Sequence, residues 1–190
     1  MRRLLIATSL LFLVARASPG QAPPVVPSWG NSERGLRLGL SATAAPNGPI
    51  VFEMTFENVS TDDLVLRLGT VLGNGVATWP DAIHLVMTDS KGMDTTLQFF
   101  DGRHAVVAGR LDDYVITLRA GSRQAITTTS TDYVTQSQTA RAAFPPGRNL
   151  VKATFEGTGA TQVRLDTPEI ALLNFWRGAV ASGLYELIVR

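Results

Sequence analysis

The sequence predicts an all-β protein in which antiparallel sheets pack face to face as a β-sandwich. Three observations favour this fold: apolar and polar residues alternate over short stretches, turn-forming residues separate the stretches, and no long segment has helical spacing. Eight or nine short strands of this kind are typical of a single domain built from two packed sheets. A closed barrel is the alternative, because its strands alternate with the same period.

The first two predicted strands have the clearest alternation. Leu36, Leu38 and Leu40 alternate with polar or small residues, and segment 50–57 places Ile, Phe, Met and Phe on one face. Residues 45–49, which separate the two strands, are rich in proline, asparagine and glycine and therefore favour a turn. We expect two half-buried strands joined by this turn.

The same period continues along the chain, with a hairpin turn predicted at Asp89-Ser90-Lys91-Gly92. Helix is expected only as short turns, for example at Thr167-Pro168-Glu169, where a capping residue precedes a first-turn proline. The further strands are predicted, in chain order, at 64–68, 83–88, 94–100, 114–118, 123–129, 150–156 and 184–189.

The N-terminus has the three parts of an export signal. Arg2 and Arg3 precede an apolar run from Leu4 to Val14, and Ala15-Arg16-Ala17 is a small-x-small cleavage site. A membrane-spanning helix needs about twenty apolar residues, so we expect cleavage after Ala17 and no membrane anchor in the processed chain. Residues 18–28 contain four prolines and are predicted to form an extended linker before a domain at 29–190.

Charge and cysteine content narrow the class of protein. Removal of residues 1–17 takes away three arginines, so 14 basic side chains remain against 16 acidic ones, a net charge of −2. Such a surface gives little electrostatic reason to bind nucleic acid. The absence of cysteine favours a bacterial protein, either secreted or periplasmic, over a disulfide-stabilised eukaryotic domain. Asn58-Val59-Ser60 matches a glycosylation sequon, which matters only in a eukaryotic secretory pathway.

Several turn and strand patterns resemble those of uncharacterised exported bacterial proteins that consist of a single immunoglobulin-like sandwich. The resemblance implies an immunoglobulin-like antiparallel β-sandwich, and it implies no activity, since that family has no established catalytic or ligand-binding residues. The segment from Asp132 to Phe144 departs from regular strand patterning. The matching pieces are Phe56–Ser60 with Leu64–Gly69, Leu118–Ser122, Pro145–Arg148 and Trp176–Ser182.

No pattern in the chain predicts a catalytic residue, a metal site or a bound cofactor. The chain has no cysteine and two histidines, His84 on the outward face of its strand and His104 in a loop, which is too few for an imidazole-based metal site. The acidic pairs Asp62-Asp63 and Asp112-Asp113 stand at strand entrances, and adjacent strand residues point to opposite faces. We therefore expect a protein that is not an enzyme.

Two long connections, 69–82 and 157–175, are the candidates for a binding surface, because long loops on sandwiches often carry ligands. The aromatic residues that could face a sugar or a peptide are Trp79, Phe99, Phe100 and Tyr133. Tryptophans of small sandwiches also close the ends of the core, which is the alternative position for Trp79 and the expected one for Trp176.

These observations predict a secreted or periplasmic, non-enzymatic binding module whose partner is an unknown protein or glycan. A proteinase inhibitor that inserts one of the two long connections into a protease cleft is one alternative. A carbohydrate-binding module is another, and Trp79 would then contact the glycan.

Overall fold

The computed structural model describes residues 26–44, 48–73, 75, 77–100, 110–135, 142–158 and 175–189. Within these ranges the chain forms thirteen strands and one 3-10 turn, η1 (Ser130–Asp132). The strands are β1 (Ser28–Trp29), β2 (Leu36–Ala44), β3 (Ile50–Asn58), β4 (Leu64–Leu72), β5 (Thr78–Trp79), β6 (Ile83–Thr88), β7 (Asp94–Phe99), β8 (Leu111–Leu118), β9 (Arg123–Thr129), β10 (Tyr133–Thr135), β11 (Gly147–Thr158), β12 (Arg177–Ala181) and β13 (Tyr185–Val189).

The strands form antiparallel sheets that share one core, which confirms the predicted all-β sandwich. One sheet has the order β1-β2-β3-β9, a second has the order β10-β7-β6-β11-β12, and a third has the order β5-β4-β8. Strands β12 and β13 both pair with β11. Strand β12 pairs with residues 154–158 of β11, and β13 pairs with residues 147–151. The inward faces of all three sheets meet in a single cluster of buried apolar side chains.

Alternation in the sequence predicts the buried faces well. Leu36, Leu38 and Leu40 on β2 are fully buried, and so are Phe52 and Phe56 on β3. The register pairs β2 with β3 from Leu36–Asn58 to Ala44–Ile50, so one hairpin spans the full length of the sandwich. The two hydrophobic rows thus face the core together, as the period of two requires.

The two ends of the sandwich differ in how the core is covered. At one end, which we call the closed end, Phe155 stacks on Trp176 with ring centroids 5.6 Å apart and meets Phe56 edge to face at 5.2 Å. At the other, which we call the open end, the last residues of β2 and of β13 leave a groove between the sheets. Trp176 is buried, which confirms its expected position in the core.

Some parts of the chain differ from the sequence prediction, and others lie outside the described residues. Four strands were not predicted: β1, β5, β10 and β12. The first three have only two or three residues each, and β12 has one buried side chain, Val180. Residues 26–28 of the predicted linker are described, and Ser28 already pairs with Leu40. The predicted signal peptide, the remainder of the linker and the predicted helical turn near Thr167 lie outside the described residues.

Candidate functional site

The structure places the four candidate aromatic residues mostly inside the protein. Trp79 is 2% exposed and Tyr133 is 0% exposed, so neither ring can meet a ligand in this conformation. Phe99 is half-buried and packs edge to face against Tyr133 at 5.7 Å, whereas Phe100 is 43% exposed. The core alternative therefore describes the positions of Trp79 and Tyr133, and Phe100 is the candidate that is open to solvent.

The predicted long connection 69–82 is folded as a hairpin. Strand β4 continues to Leu72 and pairs with β5, with Thr70 opposite Trp79. Gly69, at a φ of 153°, allows this close return, since a Cβ atom there would lie 1.9 Å from the Trp79 carbonyl oxygen. Of the second connection, 157–175, only the two ends are described, and its middle lies outside the described residues.

The acidic pairs take part in turns and cross-strand contacts. The Asp63 carboxylate accepts a hydrogen bond from the Ala120 amide, and Asp113 accepts one from Arg67 at 2.8 Å. Asp112 accepts a hydrogen bond from Arg110 at 2.6 Å. In the described ranges no three metal-ligating side chains come together. These carboxylates therefore stabilise the β4–β8 region and its turns.

One of the two histidines, His84, lies on a strand of the described chain. His84 lies on the outward face of β6 and is half-buried, and its Nδ1 has no hydrogen-bond partner within the described ranges. Gln98 and Thr154 are its neighbours across the sheet. His104 lies outside the described residues.

Asn58, the first residue of the sequon, is a buried hydrogen-bond centre at the closed end. Its Nδ2 donates to the carbonyl oxygens of Asp62 and Leu118 at 2.8 and 3.0 Å, and its Oδ1 accepts from the amide and hydroxyl of Ser60. The side chain is 0% exposed and all of its polar atoms are bonded. In this conformation it cannot accept a glycan.

A charged cluster on the outer face of the first sheet was missed by sequence reasoning. The Glu57 carboxylate accepts hydrogen bonds from Arg37 and Arg123, which flank it on β2 and β9. Burial acts to raise the pKa of Glu57, but the two guanidinium groups outweigh it and hold the pKa below 4.5. Both arginines lie over the Trp29 ring, which itself rests on Gly39. The two guanidinium groups thus partly cover the half-buried indole, and the cluster links β1 to β2.

A groove lies at the open end of the sandwich. Its volume is about 740 Å³, and it lies between the end of β2 and the whole length of β13. Phe144 forms part of its wall and packs on Phe52 at 5.5 Å, which in turn contacts Tyr133. The residues that line it are mostly apolar or small: Ala42, Thr43, Ala44, Gly48, Ile50, Ser130, Ala142, Phe144 and Tyr185–Val189.

Side-chain hydrogen-bonding groups in this groove are largely occupied. The Tyr185 hydroxyl donates to the Ala42 carbonyl oxygen at 2.9 Å, and the Ser130 hydroxyl accepts from the Ile50 amide. Glu186 pairs with Arg148 at 2.8 Å. The groove therefore presents apolar side chains and strand backbone, with few polar side chains available to a ligand.

Comparison with known proteins assigns neither a family nor an activity. No protein-family model matches the chain, and no curated protein matches it either. Among the described residues, no helix has the length and apolar character needed to cross a membrane.

Proposed function

We propose that this chain is an exported, non-catalytic binding module that holds a polypeptide ligand in the groove at the open end. The observation that carries the proposal is the groove itself, which is about 740 Å³ in volume and is bordered along one side by an entire strand. Most of the residues that line it are apolar or small, and about half of its surface is polar. Ligand sites of proteins commonly have volumes in this range and combine apolar side chains with polar groups that fix the ligand's orientation.

A polypeptide suits this lining better than a glycan. Sugar sites usually combine an open aromatic face with several polar side chains, because each hydroxyl needs a partner. Here Tyr185 and Glu186 already have partners. Trp79 is buried, and the half-buried Trp29 is not among the residues that line the groove. The groove instead combines strand backbone with apolar side chains, and a polypeptide carries groups that match both.

A protease-inhibiting loop has less support than the groove. Connection 69–82 is tied back by the β4–β5 pairing, and its largest side chain, Trp79, is buried. Inhibitory loops instead present their contact residues to the enzyme.

A variant with a charge placed beside the groove tests the proposal. We would select peptides from a random library of twelve-residue peptides against the processed protein, then measure their affinity for Ala44→Arg, which places a charge beside the groove. The matched control is Thr127→Arg, which adds the same charge to the exposed outer face of β9. We expect affinity to fall at least about tenfold for Ala44→Arg and to be retained by the control.

Two results would count against the proposal. Equal binding by both variants would place the peptides elsewhere, and failure to select any peptide would remove the polypeptide ligand. Groove-dependent binding on a glycan array would replace it with a carbohydrate. Export is tested separately by N-terminal sequencing of protein recovered from the periplasm or medium, where we expect Ser18 as the first residue.

A further inference from the structure

We infer that the ligand enters the groove as an extended strand and pairs with the free edge of β13. This inference rests on the proposed function and adds to it the mode of recognition. Strand addition needs three features: unpaired backbone groups along an edge, space for alternate side chains beside it, and no device that blocks pairing. Among the described residues, β13 combines all three.

The direction of the backbone groups on β13 follows from hydrogen bonds on β11. The Ala153 carbonyl oxygen accepts from the Ser182 amide, while the Glu156 amide donates to Ala82 on the opposite side. Since backbone groups alternate along a strand, Val151, Asn149 and Gly147 direct theirs toward β13. Their partners in the register, Tyr185, Leu187 and Val189, therefore use their amides and carbonyls for β11.

Glu186 and Ile188 consequently turn their amides and carbonyls away from β11. The Leu184 carbonyl, which has the same parity, also points away and accepts from the Ser28 hydroxyl at 2.8 Å. In the described chain, no strand occupies the edge beyond Glu186 and Ile188. Their outward groups repeat about every 6.6 Å, the spacing at which an extended chain presents its own donors and acceptors.

The groove provides the space for the side chains of an added strand. All five residues of β13 line it, as expected for a groove that follows a strand edge. Its opposite wall is the end of β2, where β1 no longer pairs: Ser28 is opposite Leu40, and Ala42 and Ala44 lie beyond. Alternate side chains of a bound segment would point between these walls, toward Phe144 and Ile50.

Edge protection is weaker at β13 than at three other edges in the described part of the chain. Strand β8 starts with Asp112 and Asp113 near its exposed end, β9 starts with Arg123, and β12 is distorted by Gly178 at a φ of 148°. These features discourage pairing. Strand β13 has no lysine, arginine or proline, its one charge is neutralised by Arg148, and Ile188 is 60% exposed.

The occupant that fits is a segment of another protein rather than a second copy of this chain. In a copy paired edge to edge, the inward side chain of Leu187 is already buried in its own core, 3% exposed. Such a copy would provide hydrogen-bond partners for the outward amides and carbonyls of β13 but would leave the groove empty. A separate extended segment with apolar side chains at every second position satisfies both.

Backbone methylation of the peptides selected above tests the inference. One N-methyl group is placed at each position in turn, which removes a single amide donor without changing the side chain. Pairing with β13 predicts that affinity falls at least about tenfold at alternate positions of the bound segment and little at those between.

A variant of the protein gives the complementary result. Ile188→Pro removes an outward amide that β11 does not use, whereas Ile188→Thr shortens the side chain but keeps the amide. We expect peptide affinity to fall at least about tenfold more for Ile188→Pro than for Ile188→Thr, with both variants checked by thermal unfolding. If Ile188→Pro fails to fold, the methylation pattern decides alone.

The outcomes separate this inference from the proposed function. Peptides that lose affinity for Ala44→Arg but show no alternation under methylation overturn strand pairing and leave the groove as the site. Peptides that ignore Ala44→Arg overturn both. A dimer of the unmodified protein in analytical ultracentrifugation that Ile188→Pro dissociates assigns the edge to a second copy, and it also overturns the inference.

Discussion

The closed and open ends of the sandwich differ in how the core is covered. At the closed end the aromatic rings of Phe56, Phe155 and Trp176 cover the core, and Asn58 joins the neighbouring turns through its buried amide. At the open end Phe52 is buried, and Phe144, which packs on it, is half-buried and forms part of the groove wall. Under the proposed function, the closed end contributes mainly to stability and the open end contributes the ligand groove.

The largest expected effect is the loss of Trp176 from the closed end. Its ring stacks on Phe155 and fills space against Gly157, where a Cβ atom would lie 2.5 Å from the ring. Trp176→Ala leaves a large cavity and should lower the free energy of unfolding by about 3–5 kcal/mol. Urea denaturation followed by circular dichroism measures this loss.

The matched variant at the open end is Phe144→Ala. Phe144 is half-buried and borders the groove, so its removal should cost about 2 kcal/mol or less while weakening peptide affinity. Equal losses of stability at the two ends would contradict the contrast drawn between them.

Asn58 comes next in expected size. Asn58→Ala removes four side-chain hydrogen bonds and leaves the Leu118 carbonyl without its amide donor, which should cost about 2–4 kcal/mol. Ser60→Ala is the control, because it removes only the hydroxyl at the rim of the same network and should cost less than about 1 kcal/mol. Similar losses for the two variants, measured by thermal unfolding, would show that the buried amide is not the centre of this network.

The same contrast shows what sequence can and cannot predict. Alternation reveals which residues of a strand face the core, so the buried faces of β2 and β3 and the core position of Trp176 follow from local patterns. Alternation does not reveal which strands become edges, since that depends on pairing between distant segments such as β11 and β13. The weakly patterned β12 is missed for a related reason, because small residues carry little periodic signal.

The proposed binding groove does not coincide with the residues that the sequence suggested. None of the four aromatic candidates lines the groove, although Tyr133 supports its wall through Phe52. Aromatic residues were chosen because they often contact ligands, but burial depends on the complete packing and is not a property of residue type. The groove combines residues 42–44, 142–144 and 185–189, and only the composition of β13, apolar and without lysine or proline, could have drawn attention to it.

Glu57 gives a smaller, pH-dependent test at the closed end. Its pKa is lowered in the folded chain, so its contribution to stability is present above about pH 4.5 and is lost as the pH falls below that value. Glu57→Gln should cost about 1–2 kcal/mol at pH 7 and make the acid side of the stability profile shallower. Glu53→Gln, on the same outer face but exposed, should change neither quantity.

The smallest expected effect concerns Tyr133 behind the open-end groove, where its hydroxyl lies 3.1 Å from that of Thr128. Tyr133→Phe removes this buried hydrogen bond and should cost about 1 kcal/mol at pH 7. Burial raises the pKa of Tyr133 above its ordinary value of 10.0, so the unfolded chain ionises first and stability falls as the pH rises past that value. Tyr133→Phe should therefore flatten the alkaline side of the profile.

Tyr114 provides the comparison for this alkaline limb, because burial also raises its pKa although its ring is only partly buried. Tyr114→Phe should flatten the limb less than Tyr133→Phe does, since a less buried phenol can ionise at smaller cost. The opposite order would mean that the region behind the groove opens to water more readily than β8. In that case the open end would be a loosely packed wall, and peptide affinity there would depend on ordering it rather than on a preformed groove.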